Sequence, residues 1–149
     1  MILDELYQEV ILDHNRSPRN FGEVDHADRQ ADGYNPLCGD KIKVYLRIQD
    51  GLIQEIGFKG TGCAISTASA SIMTEILKGK TIEEARELFE AFHALVTGRM
   101  EGEVDLDTLG QLAAFHGVSG YPVRVKCATL PWHTLKAALD REQQEVSTE

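Results

Sequence analysis

Between Lys41 and Ile48 apolar and polar side chains alternate without a break: Ile42, Val44, Leu46 and Ile48 share one face, and Lys41, Lys43, Tyr45 and Arg47 the other. Successive residues of a strand point to opposite sides, so this is the pattern of a half-buried strand. Asp50-Gly51 follows, a pair suited to the positive backbone angles of a tight hairpin turn. Leu52 to Gly60, with Ile56 and Phe58 inward, then returns as the second strand. Elsewhere the period is helical. Leu3, Leu6, Tyr7, Val10 and Ile11 predict an amphipathic helix over residues 2 to about 14, ending before Pro18. Ile65, Ala68, Ile72, Met73, Ile76 and Leu77 predict a helix that opens after Cys63 and stops near Gly79. Its first turns are crowded with alanine and serine, which lets another backbone come close.

Thr81-Ile82-Glu83-Glu84 is a capping box, and Ala85, Leu88, Phe89, Phe92, Leu95 and Val96 continue that helix to about Val96. Asp105 caps a shorter helix carrying Leu109, Leu112, Ala113 and Phe115, with Gly117 past its end. Pro131 suits the first turn of a last helix with Leu135, Ala138 and Leu139, so Cys127 falls just before that helix or in its opening. Residues 15 to 40 hold Pro18, Gly22, Gly33, Pro36 and Gly39 and few apolar side chains. They predict loop, with a short edge strand around Arg29 to Tyr34. The polar tail from about residue 143 is expected to fray.

Composition narrows the picture. A chain of 149 residues fits one domain, spanning 1–149, and 42% hydrophobic with 26% charged residues is ordinary for a folded domain. A net charge of −9 with no cluster of lysine and arginine argues against a nucleic-acid binder. Met1 to Leu6 carries acidic residues where a secretory leader is basic, and no apolar run reaches the length of a membrane span. The expectation is a cytoplasmic protein with no membrane partner. In a reducing compartment an odd set of three cysteines points to metal or thiol chemistry rather than to disulfides.

The cysteines sit at junctions. In Asn35-Pro36-Leu37-Cys38-Gly39-Asp40 the Cys38 thiolate and the Asp40 carboxylate are two residues apart and able to face one ion. For this segment alone, a turn with a small buried hydrophobe is the commoner meaning. Cys63 follows Gly60-Thr61-Gly62 at a helix N-terminus, where free N–H groups favour the thiolate. Cys38, Asp40, Cys63 and Cys127 together offer a tetrahedral ion four ligands of kinds that zinc accepts. Spacing alone leaves three unrelated buried thiols as an equal alternative. A cysteine hydrolase is the weaker rival, since no family signature surrounds any cysteine. Of the histidines at 14, 26, 93, 116 and 133, only His133 is close enough in sequence to Cys127 to be kept near the site, and a surface or core histidine is its commoner meaning.

Three segments carry a likeness: Asn35-Pro36-Leu37-Cys38-Gly39-Asp40, Gly60-Thr61-Gly62-Cys63-Ala64-Ile65-Ser66 with its Ala/Ser-rich sequel, and Arg124-Val125-Lys126-Cys127-Ala128-Thr129-Leu130. In this order and over nearly the whole chain they resemble the IscU/NifU N-terminal family of iron–sulfur cluster assembly proteins. Within it the chain looks like the SufU branch. The scaffold branch has a histidine immediately before its third cysteine, where this chain has Lys126. The stretch from Cys63 to Cys127 is also longer than in scaffolds, holding an extra segment around Gly98 to Leu112.

The resemblance implies an α+β, IscU-like single domain, with a small three-stranded antiparallel sheet packed with about five or six helices. It implies a surface zinc ion on Cys38, Asp40, Cys63 and Cys127. The implied activity is that of a zinc-dependent sulfurtransferase, accepting persulfide sulfur from a SufS-type cysteine desulfurase and relaying it toward the SufBCD assembly complex. Cys38 is then the acceptor, freed when a desulfurase histidine takes its place on zinc. Cys127 is the alternative acceptor, since scaffold relatives favour the third cysteine. Arg124 and Lys126 flank Cys127 as supporting charges, with plain solvated surface charge an equal reading. Two other functions stay open: a scaffold on which the same residues hold a 2Fe–2S cluster, and a binding module whose zinc is purely structural.

Overall fold

The computed structural model describes residues 2–99, 109–140 and 146–147. β1 (Arg29–Asn35), β2 (Asp40–Gln49) and β3 (Leu52–Thr61) form the expected antiparallel sheet. β4 (Val146–Ser147) pairs parallel to Gly33 and Tyr34, giving the order β3-β2-β1-β4. The rest of the tail expected to fray lies outside the described residues. Around the sheet pack α1 (Ile2–Arg16), α2 (Ala64–Leu77), α3 (Ile82–Val96), a 3-10 helix (Gly110–Gly120) and α4 (Pro122–Leu139). No helix among the described residues is long and apolar enough to cross a membrane.

The alternation along β2 resolves as expected on its inner side, where Ile42, Val44 and Leu46 join Ile53, Ile56 and Phe58 of β3 in the core. Asp50 and Gly51 turn the hairpin at φ of 56° and 75°. Tyr45 departs from the pattern, because it belongs to the outer face and is nonetheless buried. Its cross-strand neighbour is Gly57, and the segment Asn20–Val24 lies down on that glycine. A Cβ at Gly57 would stand 2.7 Å from the Gly22 carbonyl oxygen, so the missing side chain is what admits the covering segment.

The second half of the chain differs more. Leu109, Leu112, Phe115 and Val118 recur every third residue and are all buried. Three residues per turn bring such a row onto one face, so the backbone winds as a 3-10 helix through Gly117 to Gly120 rather than as a short α-helix. The Asp105 cap and most of the segment from Gly98 to Leu112 lie outside the described residues.

α4 begins at Pro122, where a missing N–H costs no helical bond, and not at Pro131, which sits in its interior. Pro131 leaves the Cys127 carbonyl without its usual helical donor. Buried Leu130, Trp132 and Leu135 keep the helix running past it, Trp132 against Phe92 with ring centroids 5.2 Å apart. Tertiary packing thus outweighs the local penalty, and it makes Cys127 a residue of the second helical turn.

The alanines and serines of α2 do bring other backbones close. The Ser69 hydroxyl donates to the Ala128 carbonyl of α4 at 2.6 Å. Ser71 Oγ accepts the Arg19 N–H and lies 2.7 Å from Nδ1 of buried His14, whose Nε2 is 2.8 Å from Gln111 Oε1. That chain ties α1, α2 and the 3-10 helix together. At Gly33 a Cβ would fall on Thr134 Oγ1, so α4 lies directly on β1.

Candidate metal centre

Three parts of the fold meet at one end of the sheet. The turn between β1 and β2 carries Cys38, which is exposed, and leads into Asp40, which is fully buried at the start of β2. Cys63 is the N-cap of α2 and its Sγ accepts the Ser66 N–H at 3.4 Å. Cys127 points in from α4 and is 2% exposed.

Cys38 Sγ and Cys127 Sγ are 3.2 Å apart. One ligand atom from each of Cys38, Asp40 and Cys127 falls within 4.8 Å of the others. Cys63 stands beside this group, its Sγ 3.8 Å from Asp40 Oδ2. The Cys63 N–H donates to Asp40 Oδ1 at 2.8 Å, and the Asn35 amide donates to Asp40 Oδ2 at 3.3 Å and to Cys127 Sγ at 3.5 Å. Gly62 is needed at the rim, since a Cβ there would meet Asp40 Oδ1 at 2.9 Å.

The donor set fits a soft dication. Asp40 is a buried carboxylate, and among the described residues no lysine, arginine or histidine pairs with it. Buried charge without a counter-charge is costly. Burial pushes the Cys127 thiol far up, and the neighbouring Cys38, Cys63 and Asp40 push it the same way. Positive charge entering the pocket, such as a metal ion supplies, favours release of the Cys127 proton. Two thiols and a carboxylate in mutual reach, with a third thiol adjacent, suit zinc or iron and not the oxygen-seeking magnesium or calcium.

The other residues singled out in the sequence lie further off. Arg124 is exposed, one turn before Cys127, with its guanidinium 4.5 Å from the centroid of the Tyr121 ring. His133 is not at the site. It faces α3, its ring 5.3 Å from that of Phe89 and 5.7 Å from that of His93, and burial lowers its pKa. Asn35 is the site residue that the sequence reading names only as part of a motif, with no role of its own. The available signal was an asparagine before a proline at a strand end, a place where its side chain habitually bonds the backbone two residues on.

An α+β domain that closes three thiols and a carboxylate around one end of its sheet is a candidate metal–thiolate protein. The family model described as the NifU-like N terminal domain matches residues 6–128, and the chain belongs to that family. Over 141 residues it is 40% identical to the zinc-dependent sulfurtransferase SufU of Bacillus subtilis (strain 168), covering 95% of this chain and 94% of that one. It is 39% identical to the iron–sulfur cluster assembly scaffold protein IscU of Streptococcus pyogenes serotype M1, covering 93% of this chain and 86% of the relative. Among solved structures it superposes, with a TM-score of 0.81 and 37% identity, on a protein of Fervidobacterium islandicum AW-1 described as a scaffold for the SUF system. That match covers 88% of this chain and 94% of the other. The likeness drawn from the three motifs and the expected α+β fold are both borne out.

Proposed function

We propose that this chain is a zinc-dependent sulfurtransferase of iron–sulfur cluster assembly that takes sulfur from the persulfide of a SufS-type cysteine desulfurase onto Cys38 and relays it toward a SufBCD complex in the cytoplasm. The observation that carries the reading is the contrast within the cluster. Cys38 is exposed on a turn, while Asp40 and Cys127 beside it are buried. A protein surface that docks here reaches Cys38 before Cys127, which favours Cys38 over Cys127 as acceptor.

Zinc held by Cys38, Asp40, Cys63 and Cys127 would keep these sulfurs ionised near neutral pH and guard them from oxidation. The transfer itself belongs to Cys38. Its thiolate attacks the outer sulfur of the donor's persulfide, a new S–S bond forms, and the donor's S–S bond breaks with the electron pair leaving on the donor cysteine. Cys38 ends as a persulfide and the desulfurase cysteine as a thiolate. Asp40, fixed by the Cys63 N–H and the Asn35 amide, stays in place during the exchange. Exposed Leu37 adjoins Cys38 in the chain, and exposed Tyr121 and Val123, with Arg124 over Tyr121, stand at the start of the helix that carries Cys127; together they suit a partner surface of mixed apolar and acidic character.

The test is anaerobic mass spectrometry after mixing the protein with a cysteine desulfurase and cysteine. The expected result is a gain of about 32 Da, one sulfur atom, mapped to Cys38, with zinc and no iron bound. If Cys38→Ala still accelerates the desulfurase, the acceptor assignment is wrong. Iron with labile sulfide in place of zinc points instead to the scaffold function, the name borne by the Streptococcus relative. Retained zinc with no persulfide on any cysteine points to a structural ion.

A further inference from the structure

The geometry points to Asn35 as the positioning residue of the centre: a single buried amide that fixes the Cys38 turn, Asp40 and Cys127 together and donates hydrogen bonds to two of the metal-facing groups without adding charge. The inference rests on the metal reading above and goes beyond it, because Asn35 is not one of the ligands. Asn35 is fully buried and is the Cα partner of Asp40 at the mouth of the β1–β2 turn. Its Oδ1 accepts the Leu37 N–H at 3.3 Å, which shapes the turn that presents Cys38. Its Nδ2 carries two protons and has two acceptors, Asp40 Oδ2 at 3.3 Å and Cys127 Sγ at 3.5 Å. These partners fix the amide's orientation, since the Leu37 N–H only donates and the Asp40 carboxylate only accepts.

A neutral donor is what the place requires. Three thiolates and a carboxylate exceed the charge of one dication, and N–H bonds to Cys127 Sγ and Asp40 Oδ2 spread that excess. Aspartate in the same shape would keep the bond from Leu37 but turn a second carboxylate toward Asp40 and the sulfur. Alanine would lose all three bonds.

Asn35→Asp and Asn35→Ala therefore separate the two duties. Zinc affinity is measured by competition with a chromophoric chelator, on variants whose circular dichroism matches the parent. Both variants are expected to bind zinc about 10- to 100-fold more weakly, Asn35→Asp no better than Asn35→Ala. Zinc affinity of Asn35→Asp equal to the parent's overturns the donor role, since the turn bond alone then suffices. If the variants do not fold, the parent protein loaded with NMR-active cadmium still decides. A scalar coupling between an Asn35 side-chain amide proton and the metal through Cys127 Sγ supports the inference, and freely exchanging amide protons with no coupling overturn it. A parent chain that takes up neither metal fails the metal reading itself and this inference with it. Tight zinc binding unaffected by Asn35→Asp fails the Asn35 role alone.

Discussion

Gly62→Ala offers a quantitative test of how the centre is packed. The added methyl would stand 2.9 Å from Asp40 Oδ1 and 3.4 Å from Asp40 Cγ. Asp40 has little room to retreat, because it is fully buried and its Oδ1 is held by the Cys63 N–H at 2.8 Å. Overpacking of this kind costs about 1–3 kcal/mol. A displaced carboxylate that gives up a hydrogen bond forfeits about 1.5–3 kcal/mol. Restricting the unfolded chain returns about 0.4–1 kcal/mol. Partial relaxation keeps the two losses from adding in full, so the metal-free protein is expected to lose about 2–4 kcal/mol. For a chain of this size that is a fall in Tm of about 5–15 °C.

Urea unfolding in the presence of a chelator measures it, followed by the fluorescence of Trp132, the single tryptophan, which is 1% exposed. The decisive comparison is a double-mutant cycle with Asp40→Ala. Without the carboxylate the nearest atom left to the new methyl is Ser66 Cβ at 3.4 Å, an ordinary contact. The cost of Gly62→Ala should then fall below about 1 kcal/mol. Equal costs in both backgrounds would refute the clash with Asp40 as the reason for glycine at this position.

Further outcomes follow from other contacts. Ser69→Ala removes the 2.6 Å bond to the Ala128 carbonyl beside Cys127 and should lower stability by about 1–2 kcal/mol in the same urea assay. On the proposed metal reading it should also weaken zinc binding, by loosening α4 where it carries the thiol. His133 has its pKa lowered first by burial and then by His93 and Lys136, so in acid the unfolded chain takes up the proton before the folded one does. Stability at this site is complete above the ordinary histidine range and is lost as pH falls through it. His133→Phe should therefore show a smaller drop in Tm between about pH 8 and about pH 5.5 than the parent, by differential scanning calorimetry.

What the sequence made legible was local. The Asp50-Gly51 turn, the Thr81–Glu84 capping box and Cys63 at the head of a helix each depend on neighbours a few residues away, and each stands as expected, Thr81 and Glu84 bonding each other at 3.0 and 3.1 Å. The structure departs from the sequence pattern where distant packing decides. Tyr45 pairs with Gly57, on which a segment more than twenty residues upstream lies, and no alternation in β2 records that. Pro131 has the look of a helix start until Trp132 and its neighbours are seen anchoring both sides. The row Leu109, Leu112, Phe115 and Val118 has a period of three, but Leu109, Leu112 and Ala113 also fit the i, i+3, i+4 spacing of an α-helix. Asn35 shows the same limit at the site, since two of its bonds run to Asp40 and to a thiol 92 positions along the chain.

The three sulfurs occupy three depths: open at Cys38, half-covered at Cys63 and enclosed at Cys127. Reach therefore ranks them. A bulky visitor would meet the outermost atom first, above a floor seated on a strand and two helices. Discrimination among chemically identical groups is thus written into altitude.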